Sequence, residues 1–182
     1  MRRTLMIMIA FFGFHALTLA QDVPKVELFG GYSLIRVDTQ GESAIARNYN
    51  GWTASISGTA TSWLSIVGDI SGQYGPPVPN ADLSVYSFLF GPKFAFRGNG
   101  RVTPFVQSLF GASRFKVSSG SMSDSENGFA MALGGGLDLK LTKTIALRPV
   151  QFEYLMTRIG DDSERMDNLR FSAGLVFRFG SR

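Results

Sequence analysis

Reactive side chains are scarce in this sequence, and what is missing narrows its chemistry first. The 182 residues contain no Cys, so a thiolate metal site, a cysteine nucleophile and a disulfide are all ruled out. The single His is His15, inside an apolar N-terminal stretch. Beyond it, a Ser-His-Asp triad, histidine metal ligation and histidine-dependent lipid hydrolysis have no residue to work with. Asp161, Asp162 and Glu164 form a carboxylate group that could bind Ca²⁺ through oxygen or do acid–base work. In a polar connecting segment, solvated loop carboxylates are the simpler reading. Gly134-Gly135-Gly136 is followed by no Lys-Ser/Thr pair and sits inside an alternating segment, so it reads as close packing in a wall rather than a phosphate loop. No catalytic residue, metal or cofactor is expected, and the chain does not read as an enzyme.

The remaining chemistry lies in isolated charges. Glu27, Asp69, Lys93, Asp138, Lys140, Arg148, Glu153, Arg170 and Arg178 each stand alone among Gly, Ala and Ser, on one parity of segments whose other parity is apolar. Buried charges need partners, so these nine predict an ion-pair network. Two readings of that network stay open. It could fill an interior, or Lys93, Arg148, Arg170 and Arg178 could line a narrow, weakly anion-favouring water path.

The elements that must carry these residues are strands. Period-two alternation is clearest at 128–141, where Phe129, Met131, Leu133, Leu137, Leu139 and Leu141 oppose Gly128, Ala130, Ala132, Gly134, Gly136, Asp138 and Lys140. Segments 168–179, 83–97 and 63–74 repeat the pattern, and weaker versions occur at 25–36, 50–58, 102–116 and 144–157. Most of these segments reach the roughly 9–11 residues that a tilted membrane-crossing strand requires. Long connections at 37–49, 75–82, 117–127 and 158–167 alternate with short ones at 59–62, 98–101 and 142–143. Long loops on one side and short turns on the other are the pattern of a transmembrane barrel, and they put both termini on the short-turn, periplasmic side. Arg97-Gly98-Asn99-Gly100 has tight-turn composition. Alternation changes phase at Pro149-Val150, which predicts a β-bulge there.

Alternation does not say which face is outside, but volume does. An eight-stranded barrel has an interior just wide enough for side chains to fill. The apolar parity carries too many Phe and Leu to fit there, whereas small residues with isolated charges suit a crowded lumen. Turning Arg170 or Arg178 towards lipid would cost about 2–4 kcal/mol each near the midplane. Trp52, Trp63, Tyr74, Tyr86, Phe96, Tyr154 and Phe179 fall near strand ends and are candidates for interfacial girdles, with ordinary strand packing as the alternative.

At the N-terminus, Arg2 and Arg3 precede an apolar run from Leu5 to Phe14 and small residues up to Ala20. This is signal-peptide composition, too short for a comfortable spanning helix. Residues 1–20 are therefore expected to be cleaved, leaving 21–182 as one barrel domain. The formal charge of +4 falls to +2 without Arg2 and Arg3, and no Lys/Arg run suggests nucleic-acid binding.

Four stretches carry a family resemblance: Glu27-Leu-Phe-Gly-Gly-Tyr-Ser33, Asn50-Gly-Trp-Thr-Ala54, Thr103-Pro-Phe-Val-Gln107 and Leu169-Arg-Phe-Ser-Ala-Gly-Leu-Val-Phe-Arg-Phe179. In this order the chain resembles the outer-membrane protein β-barrel family, which includes the transmembrane domain of outer-membrane protein A. The resemblance implies an all-β, eight-stranded antiparallel up-and-down barrel integral to the outer membrane. Its partners would be outer-membrane lipid, the barrel-assembly machinery during biogenesis, and an unknown extracellular partner of the loops. No peptidoglycan-binding domain follows, so wall anchoring of that kind is not implied. The final strand resembles the assembly signal, although Gly180-Ser181-Arg182 follow its last aromatic. The expected role is structural or surface-interacting through the outer loops, with a small porin-like channel as the alternative.

Overall fold

The computed structural model describes residues 23–37, 47–78, 81–98, 100–119, 122–159 and 164–181. They form β1 (Pro24–Val37), β2 (Arg47–Thr59), β3 (Leu64–Val78), β4 (Ala81–Ala95), β5 (Val102–Ser119), β6 (Met122–Lys140), β7 (Ile145–Ile159) and β8 (Glu164–Ser181). Each strand pairs antiparallel with the next, and β8 returns to β1 from Pro24↔Ser181 to Val37↔Asn168, closing the barrel. Closure removes the unpaired edges that an open sheet would expose.

The alternation fixes an inside-out arrangement. Phe88, Phe90, Ile56 and Leu133 turn outward at 55–66% exposure, as do most of the other large apolar side chains. Glu27, Asp69, Asp138, Glu153, Lys93, Arg148 and Arg170 turn inward at 3% or less. On β4 the outward row runs from Phe96, just past the strand end, to Tyr86. That span of about ten residues covers about 34 Å along a strand and about 26 Å after a 40° tilt, which matches the apolar band of a membrane barrel. Phe90 lies midway along it. Replacing Phe90 by Arg should therefore cost about 2–4 kcal/mol in urea unfolding from bilayers, and an unchanged midpoint would count against a lipid-facing surface.

The predicted bulge is present. Arg148 pairs with Gly174 and Gln151 with Ser172, so Pro149 and Val150 together face Ala173. The phase change is what lets both Arg148 and Glu153 point into the lumen.

The expected loops are largely strand. β3 reaches Val78 and β4 starts at Ala81, β5 reaches Ser119 and β6 starts at Met122, and β8 starts at Glu164. The expected loops 75–82, 117–127 and 158–167 are corrected accordingly. In these stretches the sequence lacks the apolar period, while the backbone ladder continues. Most of 37–49, together with Asn99, Asp161 and Asp162, lies outside the described residues. At the end where the termini lie, β2–β3, β4–β5 and β6–β7 are joined through 60–63, 96–101 and 141–144.

Candidate functional site in the barrel lumen

Eight of the nine expected interior charges are buried inside the barrel, and Lys140 is the exception. It is exposed where β6 ends, because the strand runs out into the turn before its side chain can be enclosed. Arg97 takes part instead. It shares the parity of Lys93 and its side chain is only 8% exposed. That parity was the available signal, and the neighbouring turn composition masked it.

The charges form two groups. Nearer the termini, Glu27 accepts from Lys93 at 2.9 Å and pairs with Arg97 at 3.4 Å and Arg178 at 3.2 Å. Asp138 receives two guanidinium bonds from Arg148, Nε–H to Oδ1 at 2.7 Å and an Nη2–H to Oδ2 at 3.1 Å. It also lies 3.8 Å from Lys93 and 3.7 Å from Arg178. The Arg178 contacts are ion pairs without hydrogen-bond alignment. Arg148 also donates to Gln151 at 2.7 Å and lies 4.3 Å from the ring centres of both Phe29 and Phe105, so two aromatic faces support its charge. Lys93 sits 4.6 Å from the Phe105 ring.

Further from the termini, a single guanidinium serves two acids. Arg170 donates to Glu153 at 2.8 Å, to Asp69 at 3.0 Å and to Ser71 at 3.1 Å. The other oxygens of these carboxylates accept from Gln107 at 2.8 Å and Thr53 at 3.1 Å. Such bonding is what makes a buried charge tolerable. Around these polar groups, Ile35, Val67, Leu89, Leu109, Ala130, Ala132 and Leu155 form one apolar cluster, and Phe29, Ala146 and Val176 form a second. These inward apolar residues were not singled out as lumen filling by the sequence reading.

The arrangement brings the lumen's acids and bases into mutual engagement. Among the described residues, no group of three or more His, Asp or Glu side chains is placed to hold a metal ion. Six of the seven girdle candidates fall into two belts. Trp63, stacked on Phe94 with centroids 5.9 Å apart, lies with Phe96 and Phe179 at the terminal end. Trp52, Tyr74 and Tyr86 lie at the other end, joined by hydrogen bonds of 3.3 Å from Trp52 to Tyr74 and from Tyr74 to Tyr86. Tyr154 faces outward, half-buried.

Known proteins give the same architecture. Neisserial surface protein A superposes with a TM-score of 0.70 at 15% identity, over 85% of this chain and 97% of that one. Ail, the attachment invasion locus protein of Yersinia pestis, superposes with a TM-score of 0.61 at 19% identity, over 86% of this chain and 99% of that one. Ail has also been crystallised with the heparin analogue sucrose octasulfate, and that structure superposes with a TM-score of 0.59 at 19% identity, over 85% of this chain and 97% of that one. No curated protein matches the chain in sequence. The outer membrane protein beta-barrel domain matches residues 5–179. The chain belongs to that family, and its closed eight-stranded barrel is an outer-membrane barrel.

Proposed function

We propose that this outer-membrane barrel has a structural and surface-interaction role rather than a transport or catalytic one. The observation that carries this reading is the lumen, where carboxylates and cations engage one another and apolar clusters pack between strands. Residues 1–20 act as a cleaved signal, the termini face the periplasm, and the barrel-assembly machinery inserts the chain. The hairpin ends furthest from the termini then face outward, and rigid barrels commonly present function at such ends. Ail, a protein of the same fold, binds a sulfated ligand, which is consistent with an extracellular partner for these hairpins.

A second reading has one observation in its favour. The Gln73 carboxamide and the Asn168 side-chain oxygen are buried without hydrogen-bond partners on the outer side of Arg170. Buried polar groups of this kind call for water, so a hydrated path entering from the outer end is the alternative. Refolded protein lacking residues 1–20 should give no steady unitary conductance in a planar bilayer. Stable openings that change on neutralising Lys93 or Arg170 would replace the structural reading with a channel.

A further inference from the structure

Among the described residues at the end of the barrel where the termini lie, exposed charge has one sign. Lys25, Arg101, Lys140 and Lys143 are all exposed. The carboxylates described at that end, Glu27 and Asp138, are buried in the lumen and already paired. At the opposite end Arg36, Arg114, Lys116 and Arg158 are exposed together with Glu126, so that end is basic too but its signs are mixed. The basic residues belong to three parts of the rim: the start of β1, the β4–β5 connection, and β6 with its turn into β7. Arg101 and Lys140 are adjoining, since the Lys140 N–H donates to the Arg101 carbonyl at 2.7 Å.

Lys25 and Lys140 share the inward parity of Glu27 and Asp138 but stand beyond the enclosure, at the rim, where height rather than strand face sets what their long side chains can reach. Lys25, Arg101 and Lys140 directly adjoin Val26, Val102 and Leu141 in sequence, and Val102 and Leu141 are exposed apolar residues at the edge of the lipid-facing band. Val26 pairs with Phe179 of the aromatic belt. Aromatic belts mark the membrane–water interface, and one residue further is about 3.4 Å along the strand. That is headgroup depth, where long basic side chains extend towards phosphate. A pocket for a small soluble anion would gather its cations at one point, whereas these are spread along the rim.

We propose that this basic rim selects anionic phospholipid in the leaflet at the terminal end of the barrel. The attraction is of the kind that draws basic segments to anionic bilayers. The proposal rests on the membrane-barrel assignment, which heat-modifiable gel migration of inserted protein tests separately.

The chain has two tryptophans, one in each belt, and these supply the assay. The turn that carries Trp63 lies between β1, with Lys25, and the connection with Arg101. With Trp52→Phe, Trp63 alone reports the lipid around it. Its quenching by brominated phosphatidylglycerol, compared with brominated phosphatidylcholine in mixed bilayers, should show at least about a threefold preference for the anionic lipid. The combined Lys25→Gln, Arg101→Gln, Lys140→Gln and Lys143→Gln protein should bring that preference to about one. Changing the three lysines to Arg should retain it. In the Trp63→Phe protein, where Trp52 reports the other end, the four Gln substitutions should change nothing. An absence of anionic preference at Trp63, or a preference that survives the four Gln substitutions, overturns the proposal.

Discussion

Replacing Arg170 by Met should cost the folded barrel about 3–5 kcal/mol, read as a large fall in the urea midpoint or as failure to refold into bilayers. The side chain is 0% exposed, and its guanidinium is the shared partner of Asp69 and Glu153. Without it, two carboxylates remain in the lumen with neutral donors such as the amide of Gln107 and the hydroxyl of Thr53 but without the cation that bridges them. Charges buried and left unpaired are far more costly than pairs that are absent altogether. Adding Asp69→Asn and Glu153→Gln to Arg170→Met should therefore restore most of the loss. If the single substitution is tolerated within about 0.5 kcal/mol, as an ordinary exposed site would be, the lumen is wetter than a filled barrel allows. Arg170→Lys should fall between the two, since a compact ammonium cannot match the forked geometry that reaches Glu153, Asp69 and Ser71 together.

The second charge group differs in kind. Glu27 and Asp138 face Lys93, Arg97, Arg148 and Arg178, so cations outnumber acids there, whereas acids outnumber the cation around Arg170. The aromatic faces of Phe29 and Phe105 help to hold the surplus. The lumen thus combines ion pairing, cation–aromatic contact and apolar packing, which together explain how so many charges fit in a barrel this narrow.

Period-two alternation carried most of this architecture. Wherever one strand face meets lipid and the other a crowded lumen, as at Phe88/Ser87 or Phe171/Arg170, side-chain type alone reveals the direction. The phase change at Pro149-Val150 was visible for the same reason, because a bulge exchanges the two faces. The signal stopped where the environment became uniform. At 125–127 three successive side chains are exposed, so the period is lost and the ladder from Met122 onward reads as loop although it pairs with β5 up to Ser119. Lys140 was misplaced by extending a correct parity one residue beyond the enclosure. Which acid meets which base could not be read either. Asp69 and Arg170 are 101 positions apart and meet only because the barrel closes.

That closure depends on how closely β1 and β8 approach, and here a single methyl group should matter. Gly31 and Gly174 are register partners across the seam. A Cβ on Gly174 would lie 2.2 Å from the Gly30 carbonyl oxygen and 2.5 Å from Gly31 Cα. Both are backbone atoms, so no side-chain rotation can relieve the clash, and the strands themselves would have to separate. Gly174→Ala should therefore destabilise by about 3 kcal/mol, the upper part of the range for overpacking, with slower or incomplete refolding on heat-modifiable gels. Gly30, one residue away on the same seam, supplies the control. A Cβ there meets nothing within 4 Å, so Gly30→Ala should stay within about 0.5 kcal/mol of the parent. Equal behaviour of the two substitutions would mean that the strands are not packed this tightly at the seam. A strong loss at Gly174 alone would locate the steric control of closure at the pairing of the first strand with the last.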